Sequence, residues 1–75
     1  MSGTLDKLIH MANQIAVEFG HQQPGAAVEA TYDHLWHFWD PAMRRTIVAH
    51  LAGGGAGLDP VARDAVTRLA TRDAA

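Results

Sequence analysis

No stretch of this chain runs far before it meets a helix breaker. Gly20 is followed by Pro24-Gly25, then Asp40-Pro41, then GGGAG at 53–57 and Asp59-Pro60. Four segments remain between them, each about the length of an ordinary globular helix. Asp-Pro is a start signal as much as a stop. The aspartate can accept hydrogen bonds from the free N–H groups of a first turn. Proline fits the first helical position, where no N–H is needed. The residue before proline avoids the α region, so a preceding helix has to end by then. Asp40-Pro41 therefore reads as a sharp helix-to-helix corner, and Asp59-Pro60 as a second capped start. The sequences after them, AMRRTIVAH and VARDAVTRL, share only helical periodicity, so the pair is not an internal repeat.

Apolar spacing supports helices throughout. Leu5, Leu8, Ile9, Ala12, Ile15, Ala16 and Phe19 recur at three and four residues, the helical period. They predict a first helix over 5–19, with Thr4 as N-cap, Asp6 in the first turn and Gly20 as the stop. After HQQPG, a second helix is expected over 26–38, with Val28, Tyr32 (or Thr31), Leu35, Phe38 and Trp39 apolar. Adding Trp36 gives a stripe wider than one partner helix covers, so a second neighbour is needed, inside the domain or outside it. The third helix is expected over 41–52, with Met43, Ile47, Val48 and Leu51 on its apolar face. The fourth is expected over 60–71, with Val61, Ala65, Val66 and Leu69 as burial candidates and Leu58 as a staple before the cap. The expected fold is all-α, a small bundle of four short helices. It forms one domain over 1–75, with 1–4 and 72–75 frayed. Helix 4 is poorest in apolar residues, which leaves open whether it packs on the bundle or is ordered by a partner. Four glycines in five residues cost backbone entropy on folding. That loop either stays mobile or lies close against another surface.

Size sharpens the problem. A chain of 75 residues buries only roughly 60–65% of its unfolded surface, so its own core is marginal. Chains this small are usually completed by disulfides, a metal or a partner. Cysteine is absent, which removes disulfides and any thiolate metal site. Alanines on the expected inner faces permit close helix approach but contribute little area. The start, MSGTLDKLIHMANQ, lacks the apolar core of a signal peptide. No apolar run approaches the ~20 residues of a membrane span. The expected compartment is the cytoplasm.

Charge argues weakly for nucleic acid. Eight acids face six bases, and the only adjacent basic pair is Arg44-Arg45. A helical nucleic-acid module, with that pair and Arg63, Arg68 and Arg72 on one face, stands as a rival reading.

Catalytic chemistry finds little material. His34 and His37 lie on one side of the second helix and His50 is the nearest third ligand. The motifs of zinc enzymes are missing, and a zinc site on these three is a further rival. Ser2 and the threonines lack a base and an orienting group. GGGAGLDP has no lysine followed by Ser or Thr and no preceding strand, so it is not a phosphate loop. No catalytic, cofactor-binding or metal-binding residue is expected. An interface has more behind it. Trp36, Phe38 and Trp39 with Arg44-Arg45 just beyond are of the types that dominate binding hot spots, although either tryptophan can equally be core.

Three segments together carry a resemblance: KLIHMANQIAVEF (7–19), HFWDPAMRR (37–45) and HLAGGGAGLDPVAR (50–63). They resemble the small delta subunit of NAD-dependent, molybdenum-containing formate dehydrogenases, in order and with similar spacing over residues 5–69. The matching positions include Lys7, Asn13, Gln14, Phe38, Trp39, Pro41, Met43, Arg44, Gly54, Gly57 and Pro60. His10 departs from the pattern, standing where arginine is common. The resemblance implies a cofactor-free accessory subunit. A large alpha subunit would hold bis-molybdopterin guanine dinucleotide and iron–sulfur clusters, and beta and gamma subunits would carry FMN, further clusters and the NAD site. It assigns no catalytic residue to this chain. The expected contacts with the alpha subunit are Asn13, Gln14, Trp36, Trp39, Arg44, Arg45, Gly54 and Gly57. Asn13 and Gln14 are expected to hydrogen-bond to the partner, and Arg44 to meet a carboxylate or carbonyl of it. The role implied is to stabilise or help assemble the complex that oxidises formate to CO2. A transient chaperone for cofactor insertion is the alternative. Neither nucleic acid nor membrane is expected as a partner.

Overall fold

The chain has three prolines, and each is the first residue of a helix. The computed structural model describes residues 3–74. They form four helices: α1 (Gly3–Phe19), α2 (Pro24–Phe38), α3 (Pro41–Ala52) and α4 (Pro60–Ala74). Among the described residues there is no strand, and the small all-α bundle expected from the spacing is what forms.

The boundaries correct two local expectations. Thr4 lies inside α1, which starts at Gly3, so it is not the N-cap. Pro24 opens α2 rather than separating it from α1, because the first helical position needs no N–H. Gln23, in an extended conformation, precedes it and accepts from the Ala27 N–H at 2.8 Å through its backbone carbonyl. Of the termini expected to fray, Gly3, Thr4 and 72–74 are helical. Met1, Ser2 and Ala75 lie outside the described residues.

The α4 helix, with the poorest apolar pattern, sits at the centre. It packs on α1, α2 and α3, and its contact with α2 is the most extensive in the molecule. Ala62, Ala65, Val66 and Leu69 are all fully buried. Small side chains suit this position, because a helix with three neighbours needs close approach more than bulk. Facing them are Leu8, Ala12 and Ala16 of α1, Ala27, Tyr32 and Leu35 of α2, and Ile47 of α3. Both alternatives on α2 are buried. Thr31 satisfies its hydroxyl by donating to the Ala27 carbonyl at 2.8 Å.

The first Asp-Pro corner works as its chemistry requires. Asp40 is extended, with φ −74° and ψ 167°, and its carboxylate accepts from the Met43 N–H at 2.9 Å. Trp39 has already left the helix, with φ −91° and ψ 138°. That change of direction separates two neighbouring aromatics. Phe38, the last helical residue, is 74% exposed, whereas Trp39 turns into the core at 4%. The second corner differs. Among the described residues the Asp59 carboxylate accepts no hydrogen bond; it is the Asp59 backbone N–H that is held, by Asn13. The expected side-chain cap of α4 therefore does not form, and Pro60 begins the helix without it.

Candidate partner interface

Several residues expected to face a partner are used inside the chain. Asn13, on α1, reaches the glycine loop 44 and 46 residues away. Its amide nitrogen donates to the Gly57 carbonyl at 2.8 Å, and its amide oxygen accepts from the Asp59 N–H at 2.9 Å. The loop is held from its other sides too. Arg63 of α4 donates to the carbonyls of Gly54 and Gly55, both at 3.0 Å. His50 of α3 donates through Nε2 to the Ala56 carbonyl at 2.7 Å. Gly54, Gly55 and Gly57 have φ of 124°, 68° and 86°, conformations that side chains disfavour. A Cβ on Gly57 would meet Ile9 Cγ2 at 3.3 Å. The run of glycines is thus explained by a tight fold against α1, α3 and α4.

Trp36 and Arg44 are likewise engaged. Arg44 donates to the carbonyls of Trp36 and Trp39 at 3.2 and 2.5 Å, satisfying the end of α2, which has no further helical turn to donate to it. Its guanidinium lies 4.4 Å from the centre of the Trp36 ring. On the same ring lies Arg72 of α4, at 3.6 Å, which also donates to the Tyr32 hydroxyl at 2.6 Å. Arg68 stands over the Tyr32 ring at 4.9 Å and pairs with Glu29. These arginines belong to a stacked series that joins α4 to α2. Trp36 is half-buried beneath it. Arg45 is exposed, and among the described residues it has no hydrogen-bond or ion-pair partner.

A groove remains open between α1, α2 and the start of α3, with a volume of about 370 Å³. Trp39 is buried at its base, and Ile15 and Met43 are half-buried beside it. Its most exposed apolar side chains are Phe38 and Met11, the latter at 40%. Gln14, Glu18 and His10 line the same groove and are exposed, and His34 lines it half-buried. His34 packs its ring 4.6 Å from that of Phe38 and 6.3 Å from that of Phe19. The groove arises because the Asp40-Pro41 corner turns α3 away from α2, while α1 lies against both.

Of the eight expected contacts, Gln14 and Trp39 line the groove and Arg45 is exposed elsewhere. Asn13 and Arg44 have internal partners, and two guanidiniums lie over the Trp36 ring. Gly54 and Gly57 are exposed within the clamped loop. Sequence reasoning missed that Phe38, Met11 and Met43 share one opening. Two extended residues at the expected corner, Trp39 and Asp40, break the helical phase and decide this, and the direction of the turn is not written in any local pattern.

The histidines of the zinc reading do not converge. His50 is tied to Ala56, His37 donates through Nδ1 to its own helix at the Asp33 carbonyl (2.8 Å), and His34 packs on Phe38. Among the described residues no group of three or more His, Asp or Glu side chains is arranged to hold a metal ion. Nor is any helix there long and apolar enough to cross a membrane.

A family model described as NADH-dependent formate dehydrogenase delta subunit FdsD matches residues 7–66. No curated protein and no solved structure matches the chain.

Proposed function

The chain belongs to the family of NADH-dependent formate dehydrogenase delta subunits, and from that premise we propose that it is a non-catalytic accessory subunit docking through its open groove. The occupant is an apolar segment of the large molybdenum-containing subunit, with other subunits in the same assembly. Cofactors of the reaction belong to those partners: bis-molybdopterin guanine dinucleotide, iron–sulfur clusters, FMN and NAD. This chain supplies no group to hydride transfer. Its role is to stabilise the large subunit or help it assemble.

The observation that carries the reading is the pairing of Phe38 with Met11 in one groove. A phenylalanine 74% exposed, with the His34 ring at 4.6 Å as its ring contact on the groove side, leaves most of its apolar surface in water. Flexible methionines around an aromatic let a surface adapt to an apolar insert. Gln14 and the groove's histidines supply the polar contacts that orient such an insert.

Native mass spectrometry of the assembly retrieved through a tag on this chain, at native expression, tests the proposal. A stoichiometric complex with a molybdenum- and iron-bearing large subunit is expected. Recovery only with a metal-free precursor replaces the permanent subunit by a transient assembly chaperone. Recovery of the chain alone contradicts both.

A further inference from the structure

The arginine edge is the second surface with unspent chemistry. Arg44, Arg45, Pro41 and Asp73 line a hollow of about 210 Å³. Among the described residues the one recorded ion pair is Arg68–Glu29. Among those residues Arg44, Arg45 and Arg72 have no carboxylate within pairing distance, although Asp73 lines the same hollow. Asp40, four residues before Arg44, is occupied with the first turn of α3.

Two of these three charges are fixed in place. Arg44 and Arg72 lie against the Trp36 ring, at 4.4 and 3.6 Å. Both hydrogen bonds of Arg44 use the same terminal nitrogen, so its other N–H groups have no acceptor among the described residues. A stacked guanidinium has already given up its rotamer freedom, and its planar fork suits a carboxylate. Pre-ordering of that kind lowers the entropy cost of binding. Structural need explains one nitrogen of Arg44 and the stacking of Arg72. It does not explain Arg45, which has no acceptor among the described residues, nor the unused N–H groups of Arg44 beside it.

We infer that this edge receives an acidic protein segment, with at least two carboxylates, from a larger subunit of the same assembly. The inference rests on the accessory-subunit reading. It adds a second contact, on the far side of the α2–α3 corner from the apolar groove. One carboxylate enters the hollow between Arg44 and Arg45, and another meets Arg72. Charge complementarity sets the register in which the groove is filled.

Zero-length carbodiimide coupling in the intact complex tests this. First, wild-type chain must retrieve the complex; if it does not, the accessory-subunit reading itself fails. R45K then places an amine at the edge without disturbing any internal bond. A cross-link from that amine to an Asp or Glu of a larger subunit is expected. An intact R45K complex with no such cross-link, or with one only to Asp73 of this chain, overturns the inference and leaves the groove reading standing. R45E gives an independent readout, with roughly tenfold weaker association at low salt and a flatter salt dependence than wild type. Equal salt tolerance of the R45E and wild-type complexes overturns it. So does a basic-edge function for nucleic acid, seen as duplex binding by the free chain that R45E abolishes while the complex persists.

Discussion

The glycine loop and the α1–α2–α3 groove are both made of residues that look wasteful in a short chain, and they resolve differently. The loop spends every unusual feature on the chain itself. Its positive-φ glycines let the backbone turn back on the bundle, where Asn13, His50 and Arg63 satisfy its carbonyls. The groove spends little. Phe38 and Met11 stay in water, with Trp39 below them as the buried part of the same surface. A costly residue therefore points to a partner only when the chain's own packing leaves it unanswered. By that criterion Asn13, expected at a partner, has a use inside the fold, and Phe38 is left mostly in solvent.

Substitution separates the two regions. The largest effect is expected at Gly57. G57A forces a Cβ onto φ 86° and against Ile9 at 3.3 Å. A loss of about 2–3 kcal/mol is expected in urea unfolding of the isolated chain. A change below ~0.5 kcal/mol there would mean that the loop is not pinned to α1. N13A comes next, removing two hydrogen bonds that join α1 to the loop. Its cost is about 1–2 kcal/mol, reduced because the freed loop groups can reach water. Hydrogen exchange should locate the change in the loop and the first turn of α4. Spread evenly over the molecule instead, it would assign Asn13 a global role. The smallest effect on the free chain is expected at Phe38, where F38Q should stay within about 0.5 kcal/mol of wild type because the ring is mostly in solvent.

Helix positions were legible because breakers and periodicity agree. Proline, glycine and Asp-Pro divide the chain where the structure does, and α3 has the predicted bounds of 41–52. Other features were hidden for reasons that differ in kind. The centrality of α4 was obscured because alanine signals little in a hydrophobic pattern, although three closely spaced neighbours require small side chains. The Asn13 clamp joins residues 44 and 46 apart in sequence, beyond any local rule. Trp36 and Trp39 were open between core and interface. Arg44 and Arg72 now cover Trp36, and the backbone turn at Trp39 buries its ring. Asp59 shares the Asp-Pro motif of Asp40 but not its side-chain hydrogen bond; at that corner Asn13 holds the backbone N–H instead. The family was legible from three linked segments, and the match over residues 7–66 bears it out.

On the proposed reading, docking at the groove is separate from the stability contributed by the glycine loop. One paired measurement tests it most directly: thermal unfolding of the isolated F38Q chain, alongside its retention in the complex retrieved through a tag. An unchanged melting temperature and at least a tenfold loss of complex are expected. Full retention of the complex with F38Q, or a melting temperature that falls in step with any loss, would contradict it.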